Sequence, residues 1–446
     1  MSIERIHFVG IGGVGMSALA QYFADRGARV TGSDRSASPV TQMLEKSGIT
    51  VQMPQRAENV PEDAEWVVYS DAVPSDNPER VRAAELRIRQ CSYFQMLGKV
   101  SEGKRTIAVA GTHGKTTTTG MLAKILIDAG ESPTVIVGSI VRDFESNYVH
   151  GDSDLFVVEA CEYKDHLLEL SPEMLVITNL EWDHTDYFAS LEALQESFRK
   201  AVLKVPAHGA IVTNPRNPNI APVLEGAQAR VIDYTREPSR ELLLPGAFNQ
   251  MNARAAAAAA WLVRPDLPDT SLAQSLASFR GTWRRFEYKG KTLHGADVFD
   301  DYAHHPTAVA STLSALREKT EGRVFIAFHP HLYSRTHDLF LDFAKAFTGA
   351  DEVLVAPIYA AREVDDGRVS SGKLAAAIAA NGTPARAASF AEIEAAFESE
   401  PKEGDAVMTM GAGDIYKVAD ALVQKEVRVP EGRARAVEVV HTARSA

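Results

Sequence analysis

Only two cysteines, Cys91 and Cys161, occur in the 446 residues of the chain. A disulfide framework is therefore not expected, and a reducing, cytoplasmic setting fits. No run of about 18 apolar residues occurs, so no membrane-spanning helix and no membrane insertion are expected. The alanines at 255–260 are too few to cross a bilayer and read as a packed helix. The opening MSIERIHFVG passes into an apolar strand within a few residues and lacks the pattern of a signal peptide. Long Lys/Arg runs are missing too. The 47 basic residues are outnumbered by 59 acidic ones, for a net charge of −12, which argues against nucleic acid as a partner. An acidic chain that binds anions must gather its donors locally, in backbone nests and helix ends. Neither a fixed-period repeat nor a low-complexity segment is present.

What is present is an alternation. Length suggests roughly two to four domains, and a hydrophobic content of 45% suits a globular enzyme. Apolar, β-branched runs such as RIHFVGIG, ARVTGSD and AEWVVYSDAV alternate with helix-like segments. That pattern means α/β units with parallel sheets. The plan restarts at TIAVAGTHGKTTTTG and continues through DLFVVEA, MLVITNL and AIVTN; it restarts again before VFIAFHP, EVLVAPI and AVMTMGAGD. Polar GKVSEGKR (98–105) reads as a linker, and a second break falls at 281–295. The fold class is α/β with three domains, at 1–98, 99–287 and 288–446. The first and last are Rossmann-like, and the central one is P-loop ATPase-like with a mostly parallel sheet. The tail from about 426 is expected to fray.

Two glycine loops carry the chemistry. Gly10, Gly12 and Gly15 satisfy G-x-G-x-x-G, with Asp34 at the end of the next strand. This is a pyrophosphate site in which glycine lets the backbone approach the ligand; NAD is the default occupant and a UDP-sugar is another. The second loop, VAGTHGKTTTT at 109–119, has Gly114-Lys115-Thr116 but Val109 where the usual phosphate-loop pattern has its first glycine. Its strand–loop–helix setting still aims backbone N–H groups at one point, with the helix dipole behind them. Lys115 would reach the terminal phosphates, and the Thr116 hydroxyl would ligate Mg²⁺. Thr116 to Thr119 are poor helix formers, so their presence needs a local reason. Glu159 and Glu162 follow one strand; Asn179, Glu181, Asp183 and His184 follow another. Carboxylates at the carboxyl ends of parallel strands lie over the ligand crevice. Glu159 with Thr116 suits Mg²⁺, whereas His184 suits Mn²⁺ better or acts through water.

Taken with GAFNQMNARAA, GTWRRFE, DDYAHHPTAV, PHLYSRT and MGAGDI, these stretches resemble the Mur ligases of peptidoglycan synthesis, in the family's order and over nearly the whole chain. The family's ATP loop likewise lacks the first glycine. The resemblance implies an ATP-dependent amide ligase that joins L-alanine to the carboxylate of UDP-N-acetylmuramate through an acyl phosphate. It implies ATP and Mg²⁺, with Mn²⁺ able to substitute, and a monomer or weak homodimer. The first domain would hold the UDP-sugar, the central one ATP and the last the amino acid. Gly111, Thr112, His113, Gly114, Lys115, Thr116 and Thr117 match the phosphate cradle. Thr116, Glu159 and His184 match the metal positions. Asn249 and Asn252 match the adenine side, and Arg285 and Asp301 match the nucleotide-binding arginine and ribose-binding aspartate. Tyr302, His304, His331 and Arg335 match the amino-acid region. Gly10, Gly12, Gly13, Gly15, Met16, Asp34 and Ser70 match the UDP-sugar loop and its neighbours. Lys115, Glu159, His184 and His304 are the expected catalytic set.

Three positions depart from the family pattern. Phe248 stands where histidine is common, so a polar contact is lost there. Leu332 replaces a polar or basic residue, so no direct amino-acid contact is expected from it. Lys200 is the nearest candidate for the carbamylated lysine of sister ligases, and is expected to be a solvated helix lysine instead. Two rival functions share some of these motifs: a recycling ligase that attaches a whole tripeptide to the same sugar nucleotide, and an NAD-dependent oxidoreductase built on Gly10–Gly15. The second leaves the ATP loop and the carboxylates unexplained.

Overall fold

In the computed structural model, which describes residues 3–424, the apolar runs pair into three separate sheets. Strands covered by helices on both faces need apolar residues on both sides, which is why they read as runs and not as alternations. The first sheet has the order Thr50–Gln52, Arg29–Ser33, Arg5–Val9, Trp66–Tyr69, Arg89–Ser92. The second has the order Arg230–Asp233, Ala210–Thr213, Met174–Ile177, Arg105–Ala110, Leu155–Glu159, Thr134–Val141, Ser146–Val149. The third runs Glu287–Lys291, Asp297–Asp301, Ala406–Met410, Val324–Phe328, Glu352–Val355, Ala385–Ala387. Two pairings are antiparallel, Thr134–Val141 with Ser146–Val149 and Glu287–Lys291 with Asp297–Asp301; the others are parallel. The three-part α/β architecture is the expected one. The predicted frayed tail lies outside the described residues.

Both expected linkers are more ordered than their polarity suggests. GKVSEGKR begins inside the helix Tyr93–Ser101, which a Ser92/Gln95 capping box starts. Gly98, Val100 and Ser101 are buried, and a Cβ at Gly98 would lie 2.5 Å from Glu169 O. Lys99 is polar punctuation on a packed helix, and the true break is the short turn that holds Lys104 before Arg105. Near 281–295 the chain first joins the second sheet. Trp283 N donates to Ile140 O (2.8 Å) and Arg142 N to Gly281 O (3.0 Å). It then forms the outer strand of the third sheet. The alanine run is buried within the helix Ala247–Val263, which packs against Lys115–Asp128.

The first unit is built over a buried carboxylate. Glu79 Oε2 accepts from Ser33 Oγ (2.5 Å) and lies 3.1 Å from His7 Nε2; Oε1 accepts from Asn59 Nδ2 (2.7 Å) and Arg56 N (3.1 Å). Burial pushes the Glu79 pKa up, but the bonds from His7, Ser33 and Asn59 outweigh it and hold the carboxyl below its ordinary value of 4.5. Glu79→Ala leaves those donors buried without an acceptor, and we expect a loss of about 3 kcal/mol or more. A lowered folded pKa gives stability that is present above the ordinary value and lost as pH falls through the folded one. The stability gap between wild type and Glu79→Gln should therefore shrink below pH 4.5. Denaturant melts across that range check both expectations.

Candidate active site

Val109, at the place of the missing glycine, is wholly buried within the strand Arg105–Ala110. The chain is still in the sheet there, so the turn begins two residues later. Gly111 (φ 130°) and Gly114 (φ 81°) make the turn. A Cβ at Gly111 would lie 2.2 Å from Thr178 Oγ1, and one at Gly114 2.2 Å from Asn252 Oδ1. Glycine is thus required twice, for conformation and for space. Asn179 braces the loop: its Oδ1 accepts from His113 N (2.9 Å) and its Nδ2 donates to His113 O (2.9 Å). Thr112 Oγ1 donates to Glu181 O at 3.0 Å. The helix Lys115–Asp128 then starts with no side-chain cap and no acid in its first turn, so its first N–H groups keep their affinity for an anion. The threonines have their local reasons. Thr116 Oγ1 donates to Glu159 Oε1 (3.1 Å), Thr118 Oγ1 to Asn252 Oδ1 (3.3 Å) and Thr119 Oγ1 to Lys115 O (2.8 Å).

Lys115 Nζ contacts Gly111 O and donates to Thr112 O (3.3 Å) and Glu162 Oε1 (2.9 Å). Burial presses its pKa down, yet the adjoining Glu162 carboxylate wins and raises it, so the ammonium stays charged. The oxygens around it suit a hard cation. Glu159 Oε2 accepts from Gly138 N at 2.8 Å, which fixes the carboxylate beside Thr116. Glu162 Oε2 is buried with no hydrogen-bond partner. An orphaned buried carboxylate oxygen in the cavity that Thr116 and Glu159 also line fits Mg²⁺ in its preferred oxygen chemistry. His184, in a left-handed conformation (φ 52°), reaches Glu162 Oε1 at 3.3 Å. Glu162 is therefore a central residue that the family pattern alone did not supply. Its signal was its spacing, three residues after Glu159 at the end of one strand.

The third unit supplies the facing wall. Asp183 Oδ1 and Arg335 Nε form an ion pair at 2.7 Å, both side chains almost fully buried. Arg335 Nη1 donates to His331 Nδ1 at 2.9 Å. Burial and then the Arg335 charge push the His304 pKa well below its ordinary value; burial, Arg335 and Arg362 push His331 down to about 3. Both rings are neutral at physiological pH. His304 Nδ1 faces Tyr302 O at 2.9 Å. Since a carbonyl only accepts, Nδ1 carries the proton and Nε2 keeps a lone pair. Arg285 Nη2 donates to Thr116 Oγ1 (3.3 Å), and its guanidinium lies 4.9 Å from the Tyr302 ring centre. Asp301 accepts from Phe286 N (2.6 Å) and Ala303 N (2.7 Å), and burial raises its pKa to about 6 against the pull of Arg285.

One cavity of about 590 Å³ joins these parts and is lined by Lys115, Glu159, His184, Asn252, Arg285, Asp301, His304, His331 and Arg335 among others. Asn249 donates to Pro245 O (2.7 Å) and accepts from Asn252 (3.2 Å), so the two amides stand as a fixed pair beside Gly114. Phe248 and Leu332 also line the cavity. Leu332 is buried with φ 70°, a costly conformation for leucine. Lys200 is 56% exposed, 4.0 Å from Glu196 and not part of the lining.

Of the first glycine loop, the cavity touches only Val14, at the start of the following helix. Gly12 N donates to Asp34 Oδ2 at 2.8 Å. A Cβ at Gly12 would lie 2.8 Å from that oxygen, and one at Gly15 2.6 Å from Tyr93 Cζ. The chain's own atoms therefore demand these glycines, and Asp34 shapes the loop. Gly10 (φ 81°) sends its N–H to Ser33 O, Gly13 N closes on Gly10 O, and Ser70 stands against Gly10. Met16 is buried in the core.

Comparison with known proteins agrees along the chain. Residues 5–105 match the Mur ligase family catalytic domain, 109–243 the Mur ligase middle domain and 284–413 the Mur ligase glutamate ligase domain. A UDP-N-acetylmuramate–L-alanine ligase of Clostridium acetobutylicum is 38% identical over 95% of this chain and 98% of its own length. One from Clostridium novyi is also 38% identical, over 94% and 97%. Among solved structures, a UDP-N-acetylmuramate-alanine ligase from Thermotoga maritima superposes with a TM-score of 0.77 at 30% identity, covering 95% of this chain and 99% of that one. A murein peptide ligase from Psychrobacter arcticus gives 0.70 at 25%, covering 96% and 99%.

Removing one member of the Asp183–Arg335 pair strands a buried charge. Asp183→Ala should cost about 3–5 kcal/mol. Adding Arg335→Leu should recover most of that stability without restoring turnover. Thermal melts read beside an activity assay separate the two effects.

Proposed function

The chain belongs to the Mur ligase family, and from that premise we propose that it joins L-alanine to the carboxylate of UDP-N-acetylmuramate, with cleavage of ATP to ADP and phosphate, in peptidoglycan precursor synthesis. The observation that carries this reading is the shared cavity. The phosphate loop with Lys115 forms one side, the His304–His331–Arg335 wall faces it, and Val14 marks the approach from the first glycine loop.

The chemistry follows from that arrangement. A carboxylate oxygen of the sugar nucleotide attacks the γ-phosphorus as the bond to ADP breaks. The acyl phosphate is then attacked by the alanine amine, which loses a proton as phosphate leaves. Two anions must meet in the first step. Lys115 and the helix N-terminus hold the phosphates. Thr116, Glu159 and Glu162 would hold Mg²⁺, with His184 behind Glu162; the ion, when bound, screens the repulsion between the two anions. Arg285 bridges the loop to the third unit. The unprotonated Nε2 of neutral His304 offers its lone pair to an N–H of the amine. Asn249, Asn252 and Asp301 serve the nucleoside, and Tyr302, His331 and Arg335 the amino acid. Gly10, Gly12, Gly13, Gly15, Met16, Asp34 and Ser70 shape the UDP-sugar end. The enzyme works in the cytoplasm as a monomer or weak homodimer. No helix among the described residues is long and apolar enough to cross a membrane.

Phosphate release is the test. With UDP-N-acetylmuramate and ATP present, L-alanine should support the fastest release among the twenty common amino acids. Faster release with the tripeptide L-alanyl-γ-D-glutamyl-meso-diaminopimelate would instead identify a murein peptide ligase. Lys115→Ala should still fold, with lower stability because buried Glu162 loses its partner, and should lose transition-state stabilisation of about 3 kcal/mol or more. Near-normal ligation by that variant would remove the loop from the reaction.

A further inference from the structure

A second group of ligand-type side chains lies beside the oxygen-rich site and shares no residue with it. His113, Glu181 and His305 each bring one ligand atom to within 4.8 Å of the others. They come from three segments: the phosphate loop, the segment after the strand Met174–Ile177, and the residue that caps the helix Pro306–Lys319. His113 Nε2 stands 3.4 Å from Glu181 Oε2, and His305 Nδ1 stands 3.6 Å from the same oxygen. In a tetrahedral zinc site with bonds near 2.0–2.2 Å, neighbouring ligand atoms are about 3.3–3.6 Å apart.

The hydrogen bonds around His305 fix its proton. His305 Nε2 lies 3.2 Å from Trp182 O. A carbonyl only accepts, so Nε2 carries the proton and Nδ1 turns its lone pair toward the Glu181 carboxylate. Two acceptors then face each other at 3.6 Å. The other contact of Nδ1 is a long one, from Thr307 N at 3.4 Å. Glu181 Oε2 also accepts from His113 Nε2 at 3.4 Å; a cation there takes the place of that proton and joins the two facing acceptors. His305 is buried, while His113 and Glu181 are partly exposed, which leaves a way in. Metal-ligating histidines ordinarily donate their other ring N–H to such an acceptor, here Trp182 O.

We propose that His113, Glu181 and His305 bind a divalent transition cation of the zinc class, distinct from the Mg²⁺ site at Thr116, Glu159 and Glu162. Two imidazoles and one carboxylate favour zinc, cobalt or nickel over Mg²⁺. Three protein ligands leave a fourth position for water. The ligands span the phosphate loop and the third unit, so the bound ion ties the loop to the helix Pro306–Lys319. Zinc should accordingly slow turnover at saturating Mg²⁺.

The test uses the full chain in excess Mg²⁺ with one equivalent of Zn²⁺. X-ray absorption at the zinc edge should show two imidazole ligands; one or none would overturn the proposal, because the other site offers only His184. Zn²⁺ affinity, read by calorimetry, should fall more than about 100-fold in His305→Gln and in Glu181→Gln, since each loses a direct ligand. It should be unchanged in His184→Gln. Loss of binding in His184→Gln, or wild-type strength in both other variants, places the ion elsewhere. Should one variant unfold, the other and the wild-type spectrum still decide. No Zn²⁺ binding by the wild type overturns the proposal outright.

Discussion

The site depends on one buried ion pair. Asp183 and Arg335 sit on different units, at 2.7 Å and almost out of solvent. Neither charge is tolerable there without the other. Asp183 belongs to the short segment after Met174–Ile177 that also carries Asn179, Glu181, Trp182 and His184. That segment braces the phosphate loop from below through Asn179 and Thr112. Arg335 belongs to the helix that follows His331 and holds its ring. The pair thus ties the segment that braces the glycine loop to the wall of His304, His331 and Arg335. It also settles protonation, since the buried Arg335 charge helps keep His304 and His331 neutral.

Charge is arranged in the same spirit on the loop side. Lys115 would be a poor cation if burial acted alone, and Glu162 keeps it charged. Glu162 is itself buried, with one oxygen shared by Lys115 and His184 and the other free of any partner. A site prepared in this way has its electrostatics in place before the reacting groups arrive, which is how preorganised donors lower a barrier.

Much of this was legible in the sequence, and the exceptions have physical causes. The central strands announced themselves because burial on both faces leaves only apolar runs. The outer strands Thr50–Gln52, Ser146–Val149 and Ala385–Ala387 are short edge strands or mostly polar, so that signal fades. The helix through Gly98 hid behind Lys99 and the polar residues that follow it. The phosphate loop was readable although Val109 broke the familiar pattern, because its strand and helix surroundings matched the chemistry. Glu162 was visible as a carboxylate but not as the partner of Lys115, since that pairing crosses the crevice between two strand ends. Asp183 was likewise visible as a carboxylate but not as the partner of Arg335, and His305 was not singled out; their partners lie 152 and 124 residues away. For the first glycine loop the expected reason was close approach of a pyrophosphate. The structure adds an internal one, the fit of Asp34 and Tyr93 against Gly12 and Gly15.

On the proposed function, a carboxylate of the sugar nucleotide is activated by phosphoryl transfer inside this cavity. The most direct measurement follows an oxygen atom. UDP-N-acetylmuramate labelled with heavy oxygen in its carboxylate is turned over with ATP and L-alanine, and the phosphate released is weighed by mass spectrometry. One labelled oxygen is expected in each phosphate, because the attacking carboxylate oxygen leaves with phosphorus when the amine displaces it. Unlabelled phosphate, formed at the same rate as the amide, would contradict it.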